Sequence, residues 1–140
     1  MTTNLSADGS RHLRRLLFTL AVAALGVSGC GQSKRPKLGE VTGVVRLDGA
    51  PLPNARVVFT PVAGPGRASL GTTDAEGRYR LAYLRDIRGA NLGTHAVRIR
   101  TTAGASDRVE PLPAKYHEKT TLSAQVAPGR NQIDFELGSR

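Results

Sequence analysis

Cys30 is the one cysteine in the chain, so no internal disulfide and no metal site built on several thiolates can form. Acid–base or nucleophilic chemistry would fall to the histidines, His12, His95 and His117, or to serines. His95 takes the inward parity of an alternating run beside Val97 and reads as a hydrogen-bonded core residue. His117 lies in a Pro-rich stretch. No second histidine or carboxylate sits at metal-ligand spacing beside His95. Ser28, Ser69 and Ser106 lack a G-x-S-x-G setting, and no G-x-x-x-x-G-K phosphate cradle is present. The expectation is therefore a protein with no catalytic residues, no metal and no cofactor. What remains is charge. Lys and Arg number 20 against 11 Asp and Glu, a formal charge of +9, an excess compatible with an anionic partner but by itself an argument about solubility and non-specific binding rather than fold.

The N-terminus carries an export address. Arg11-His12-Leu13-Arg14-Arg15 is cationic, Leu16 to Leu25 is apolar, and Gly26-Val27-Ser28-Gly29 is small-residue ground for cleavage. The apolar run is shorter than the roughly 20 residues that span a bilayer. Val27-Ser28-Gly29-Cys30 resembles the bacterial lipobox, which implies diacylglycerol on Cys30 and cleavage before it. Removing that leader takes Arg11, Arg14 and Arg15 against Asp8 and lowers the formal charge to +7. Residues 1–29 are then a lipoprotein signal peptide and 30–38 a lipidated tether. Lys34, Arg35 and Lys37 read either as headgroup contacts, where each cation would add about 1 kcal/mol on an anionic surface, or as a solvated linker. Gly31, rather than Asp, follows the cysteine. By lipoprotein sorting habits this favours an outer membrane, with the domain on the periplasmic side or the cell surface.

From residue 39 the hydrophobic period is two. Val41, Gly43, Val45 and Leu47 share one face; so do Ala55, Val57 and Phe59. A weaker run aligns Ala68, Leu70 and Thr72. Tyr79, Leu81 and Tyr83 follow, then His95, Val97 and Ile99, then Leu122, Ala124 and Val126, and last Ile133, Phe135 and Leu137. These seven runs predict seven short antiparallel strands packed as an all-β sandwich, of transthyretin-like or Ig-like type, over residues 39–140. The turn signals agree. Asp48-Gly49 is a hairpin pair, Asp74 and Gly77 mark a capped turn, and Pro128-Gly129-Arg130-Asn131 turns into the final strand. Thr102 to Lys119 is the longest irregular stretch, the natural place for a variable loop.

Gly43-Val44-Val45, then Asp48-Gly49-Ala50-Pro51-Leu52-Pro53-Asn54-Ala55-Arg56-Val57-Val58-Phe59, resembles the opening of carboxypeptidase regulatory-like domains. Thr73-Asp74-Ala75-Glu76-Gly77-Arg78-Tyr79 matches their T-D-x-x-G-x-Y turn, and Gly93 to Val97 a later strand. The resemblance covers about residues 40–138 and implies a transthyretin-like, seven-stranded sandwich. Single-domain bacterial lipoproteins of this kind also carry a P-x-K-Y loop, here Pro113-Ala114-Lys115-Tyr116, and a final N-x-x-x-F-x-L strand, here Asn131 to Leu137. Such domains are mostly non-catalytic. The related hydrolase of 5-hydroxyisourate uses a histidine in its first strand and a C-terminal Tyr-Arg-Gly-Ser. This chain has no histidine from Val41 to Leu47 and ends Leu137-Gly138-Ser139-Arg140.

The functional expectation is thus a membrane-anchored, cell-envelope lipoprotein whose sandwich is a binding or structural module. A module for carbohydrate or an anionic polymer is the alternative, and the hydrolase a remote one. Alternation sends Arg78, Arg80, Arg98 and Arg100 outward, as it does Arg46 and Arg56. The four form a candidate anion-binding face for an envelope polymer or protein, if the two pairs adjoin without Asp134 or Glu136 between them. Nucleic acid is not an expected partner, since export removes it and no aromatic side chains interleave with the basic ones.

Overall fold

The computed structural model describes residues 36–101 and 110–140. The leader, Cys30 and most of the tether lie outside the described residues, as does Ser106. Arg35–Arg140 is a compact unit of its own. The described residues are all-β, in two sheets with a common core and no α-helix, and none of their helical segments is long and apolar enough to cross a membrane.

The first sheet is built on one ten-residue strand, β1 (Leu38–Leu47), whose Val41, Gly43 and Val45 are buried while Thr42, Val44 and Arg46 are half-exposed. Along one edge of β1 run three short antiparallel pieces, β8 (Ala90–Asn91), β5 (Arg78–Arg80) and β2 (Ala50–Pro51). Along the other run β11 (Gly129–Gln132) and β12 (Phe135–Leu137), both parallel to β1. The second sheet is antiparallel, in the order β10 (Ser123–Val126), β9 (Gly93–Thr101), β3 (Ala55–Pro61), β4 (Ser69–Thr72), β6 (Ala82–Leu84) and β7 (Ile87–Arg88).

Three expectations need correcting. First, the sandwich is not antiparallel throughout. The first and last strands lie side by side but are joined through the other sheet, and a long crossover of that kind permits a parallel pair. Second, the run from Tyr79 to Tyr83 is not one strand. β5 belongs to the first sheet and β6 to the second, and the chain crosses at the buried Leu81, whose N–H bonds to the Val41 carbonyl at 3.0 Å. Tyr83, past that crossing, is only half-buried. Third, Ala68, Leu70 and Thr72 do not face the core. Paired residues share a sheet face. Register sets Ser69 opposite Phe59 and Gly71 opposite Val57, so the strong pattern of β3 turns Ser69 inward. Gly71 is small for a reason: a Cβ there would stand 2.7 Å from the Arg80 carbonyl oxygen.

Four rings join the sheets. Phe59 packs against Tyr79, His95 and Phe135 with centroids 6.4, 5.8 and 6.1 Å away. Around them lie Val41, Val45 and Leu137 of the first sheet and Val57, Val97 and Ile99 of the second. The stretch after residue 109 is less irregular than its prolines suggest. A 3₁₀ turn at Ala114–Tyr116 lets Leu112 and Tyr116 add to the core, and the Tyr116 hydroxyl accepts the Gly138 N–H at 2.8 Å.

The turns have the geometry their residue types permit. Asp48 (φ 50°) and Gly49 (φ 83°) both take positive φ between β1 and β2, the two-residue hairpin conformation that follows strand twist. Asp74 Oδ1 accepts the N–H groups of Glu76 and Arg78 at 3.0 and 2.8 Å. Gly77 (φ 73°) presses against β1, its carbonyl accepting the Val45 N–H at 2.8 Å.

Candidate functional site

The candidate site grows from the corner where the chain leaves the first sheet for the second. Outward residues of β1 (Thr42, Val44), β5 (Arg78, Arg80) and β11 (Gln132), with Thr72 and Asp74, line an open cleft of about 710 Å³. Tyr79 is its rigid floor. The ring is buried beneath Gly43, and its hydroxyl donates to the Ile133 carbonyl at 2.6 Å. Burial pushes the Tyr79 phenol well above its ordinary pKa, so it stays a protonated donor. Gly43 makes this possible, since a Cβ there would collide with the Ile133 carbonyl and the Tyr79 ring.

The electrostatics of the cleft favour an anion. Arg80 Nε lies 3.9 Å from Glu40 Oε1, but the other Glu40 oxygen lies 3.8 Å from Arg130 Nε, so one carboxylate serves two cations. Exposed pairs at such distances contribute little. Among the described residues no carboxylate lies within 4 Å of the Arg78 guanidinium nitrogens; Asp74 Oδ1 accepts two backbone N–H groups, one of them that of Arg78 itself. Two arginine forks with threonine hydroxyls and a glutamine amide can hold a carboxylate, sulfate or phosphate by charge-assisted hydrogen bonds.

The structure does not bring the four sequence-selected arginines together. Arg78 and Arg80 lie on β5 in the first sheet, whereas Arg98 and Arg100 lie on β9 in the second, opposite Val58 and Arg56. Sharing an outward parity is not sharing a face, because the two sheets turn their outward faces in opposite directions. Asp134 and Glu136 do not intervene between the pairs either. Asp134 Oδ1 accepts the Val44 N–H at 2.8 Å, and Glu136 pairs with Arg46 at 2.7 Å.

The histidines stand apart from the cleft. His95 is buried, with Nδ1–H donating to the Gly93 carbonyl at 3.0 Å and no partner for Nε2 among the described residues. Loss of solvent holds its pKa below the ordinary histidine value. His117 is also buried, with Nε2–H donating to the Leu112 carbonyl at 2.9 Å.

Sequence reasoning missed several residues that shape the site. Thr73 is buried, and its hydroxyl donates to the Leu52 carbonyl at 2.7 Å while accepting the Ala55 N–H at 2.8 Å, which ties the β2–β3 loop to the turn carrying Arg78. Thr42, Thr72 and Gln132 gave no signal, because Thr42 meets Arg80 and Gln132 only through register, and Thr72 enters the cleft from β4 of the other sheet. No protein-family model matches the chain, and no curated protein matches it in sequence.

Proposed function

We propose that the chain is a lipid-anchored protein of the cell envelope, held by diacylglycerol on Cys30 and sorted to the outer membrane. Its carboxypeptidase regulatory-like, transthyretin-like sandwich is a non-catalytic binding module. Its ligand is an anionic envelope polymer or an acidic segment of an envelope protein. The observation that carries the binding reading is the Arg78–Arg80 cleft, where two forks share less than one carboxylate and a hydrogen-bonded tyrosine floor keeps the walls in place. The two-sheet, all-β architecture supports the family part, and the lipobox pattern at Cys30 supports the anchor.

The test has two arms. In its bacterial host the chain takes up labelled palmitate and fractionates with membranes, and Cys30→Ser abolishes both; an unlabelled wild type overturns the anchor. With polygalacturonate as the probe, the full-length Cys30→Ser chain binds at low salt and weakens steeply toward physiological salt. Arg78→Gln/Arg80→Gln lowers that affinity about tenfold, or 1.4 kcal/mol, while leaving thermal unfolding in place. Equal binding by the double variant overturns the cleft.

A further inference from the structure

The strands of the second sheet carry four arginines, Arg56, Arg88, Arg98 and Arg100, and no aspartate or glutamate. The strands of the first sheet mix their charges, with Glu40 and Glu136 among Arg46, Arg78, Arg80 and Arg130. Each sheet thus carries four strand arginines, but the strand carboxylates belong to the first sheet alone. On the outward face of the second sheet, register builds two rows. Arg100, Arg56 and Thr72 stand side by side across β9, β3 and β4. The next row runs Arg98, Val58, Leu70, Ala82, Arg88. Arginines directly opposed across a ladder repel each other. Among the described residues the one carboxylate within 4 Å of their guanidinium nitrogens is Glu118, whose Oε1 is 3.9 Å from Arg100 Nη2. The second row is apolar between its arginines. Beyond it, the β6–β7 hairpin exposes Leu84 and Ile87, 40% and 43% accessible, among Arg85, Asp86 and Arg88.

We infer that the outward face of the second sheet is a docking surface for a bilayer containing anionic phospholipid. A rim of arginine forks around an apolar strip matches what such a surface offers, phosphates for the forks and hydrocarbon between them. A soluble polyanion would answer the arginines and leave Val58 and Leu70 between them against water. Reach is sufficient. The seven residues from Cys30 to Lys37 extend to about 25 Å, against about 10 Å between packed sheets, so a lipid on Cys30 leaves either face free to lie down. Only this point of reach draws on the proposed anchor. The arginines of the face are independent of it and do not line the Arg78–Arg80 cleft, which meets the face at Thr72.

The experiment places a nitrobenzoxadiazole dye on one of two exposed positions of the full chain carrying Cys30→Ser. These are Thr60→Cys on the outward face of the second sheet and Gln132→Cys on that of the first. Vesicles of phosphatidylglycerol and phosphatidylcholine should blue-shift the dye at position 60 and leave position 132 unchanged, and pure phosphatidylcholine should shift neither. The leader's own affinity acts on both probes alike, so the difference between them is the readout. Arg56→Gln/Arg98→Gln/Arg100→Gln should weaken the response about tenfold, and the Arg→Lys version of the same triple should restore most of it. The inference is overturned by no shift at position 60, by equal shifts at both positions, by an undiminished response in the Gln triple, or by loss of the response in the Lys triple. A response at position 60 to soluble polygalacturonate that vesicles do not reproduce overturns it as well. Arg78→Gln/Arg80→Gln should leave vesicle docking unchanged, so this reading and the cleft reading fail separately.

Discussion

At the scale of single residues, backbone sign and side-chain burial decide more than residue class. Gly49 and Gly77 both hold positive φ, but a Cβ at Gly49 meets nothing within 4 Å, whereas at Gly77 it lies 2.5 Å from the Val45 carbonyl oxygen. Gly49→Ala should therefore cost only the left-handed penalty, about 1 kcal/mol. Gly77→Ala should cost clearly more, because β1 or the turn must also move; equal denaturant midpoints for the two would discard the close approach to β1. His95 gives a pH prediction. Its folded pKa lies below the unfolded value of about 6.5, so the unfolded chain binds the proton more readily in that window. Stability is then fully present above about pH 6.5 and falls as pH drops through the folded pKa. Thermal unfolding at pH 7 and pH 5 should show this loss, and His95→Leu should flatten it. A slope that survives the substitution assigns the proton uptake elsewhere.

Among the strands, the seam between β1 and the C-terminal pair tests how the first sheet is closed. Between β11 and β12 the Ile133 N–H still bonds to the Thr42 carbonyl at 2.8 Å, but at Asp134 the carboxylate replaces a carbonyl as acceptor for the Val44 N–H. Asp134→Ala should cost about 1 kcal/mol, and Asp134→Asn, which keeps the acceptor oxygen, should recover most of it. Urea midpoints decide, and equal loss in both variants would mean that charge rather than the hydrogen bond matters. Tyr79→Phe leaves the Ile133 carbonyl without its donor and should cost about 1–2 kcal/mol. Because the same hydroxyl steadies the floor of the cleft, polygalacturonate binding should weaken with it. The alternating runs of β1, β3 and β9 were plain in the sequence, since each buries a continuous apolar face. That of β4 was not, because Ser69 and Gly71 carry no hydrophobic signal and take their direction from β3.

Over the whole molecule, the two sheets turn different chemistry outward: a polar cleft with mixed charge on one side, and arginines with an apolar strip on the other. Substitutions on separate sheets share no partners, so their effects should add within about 0.5 kcal/mol. Combining Arg78→Gln/Arg80→Gln with Arg56→Gln/Arg98→Gln/Arg100→Gln should lose polygalacturonate binding and vesicle docking independently. Strong coupling between the two readouts would contradict the separation of the faces.

The sequence by itself determined the all-β class, because a period of two sustained over seven runs can bury one face only as strands. It also specified the turns at Asp48-Gly49 and Asp74–Gly77, because positive φ and amide capping depend on local residue type. Which residues share a surface was decided only by the tertiary structure. Parity tells inward from outward within a strand, but the sheet a strand joins depends on partners far along the chain. Crossing at Leu81 separated Arg78 and Arg80 from Arg98 and Arg100, and register gave each pair new neighbours: Thr42 and Gln132 on one sheet, Arg56 and Val58 on the other.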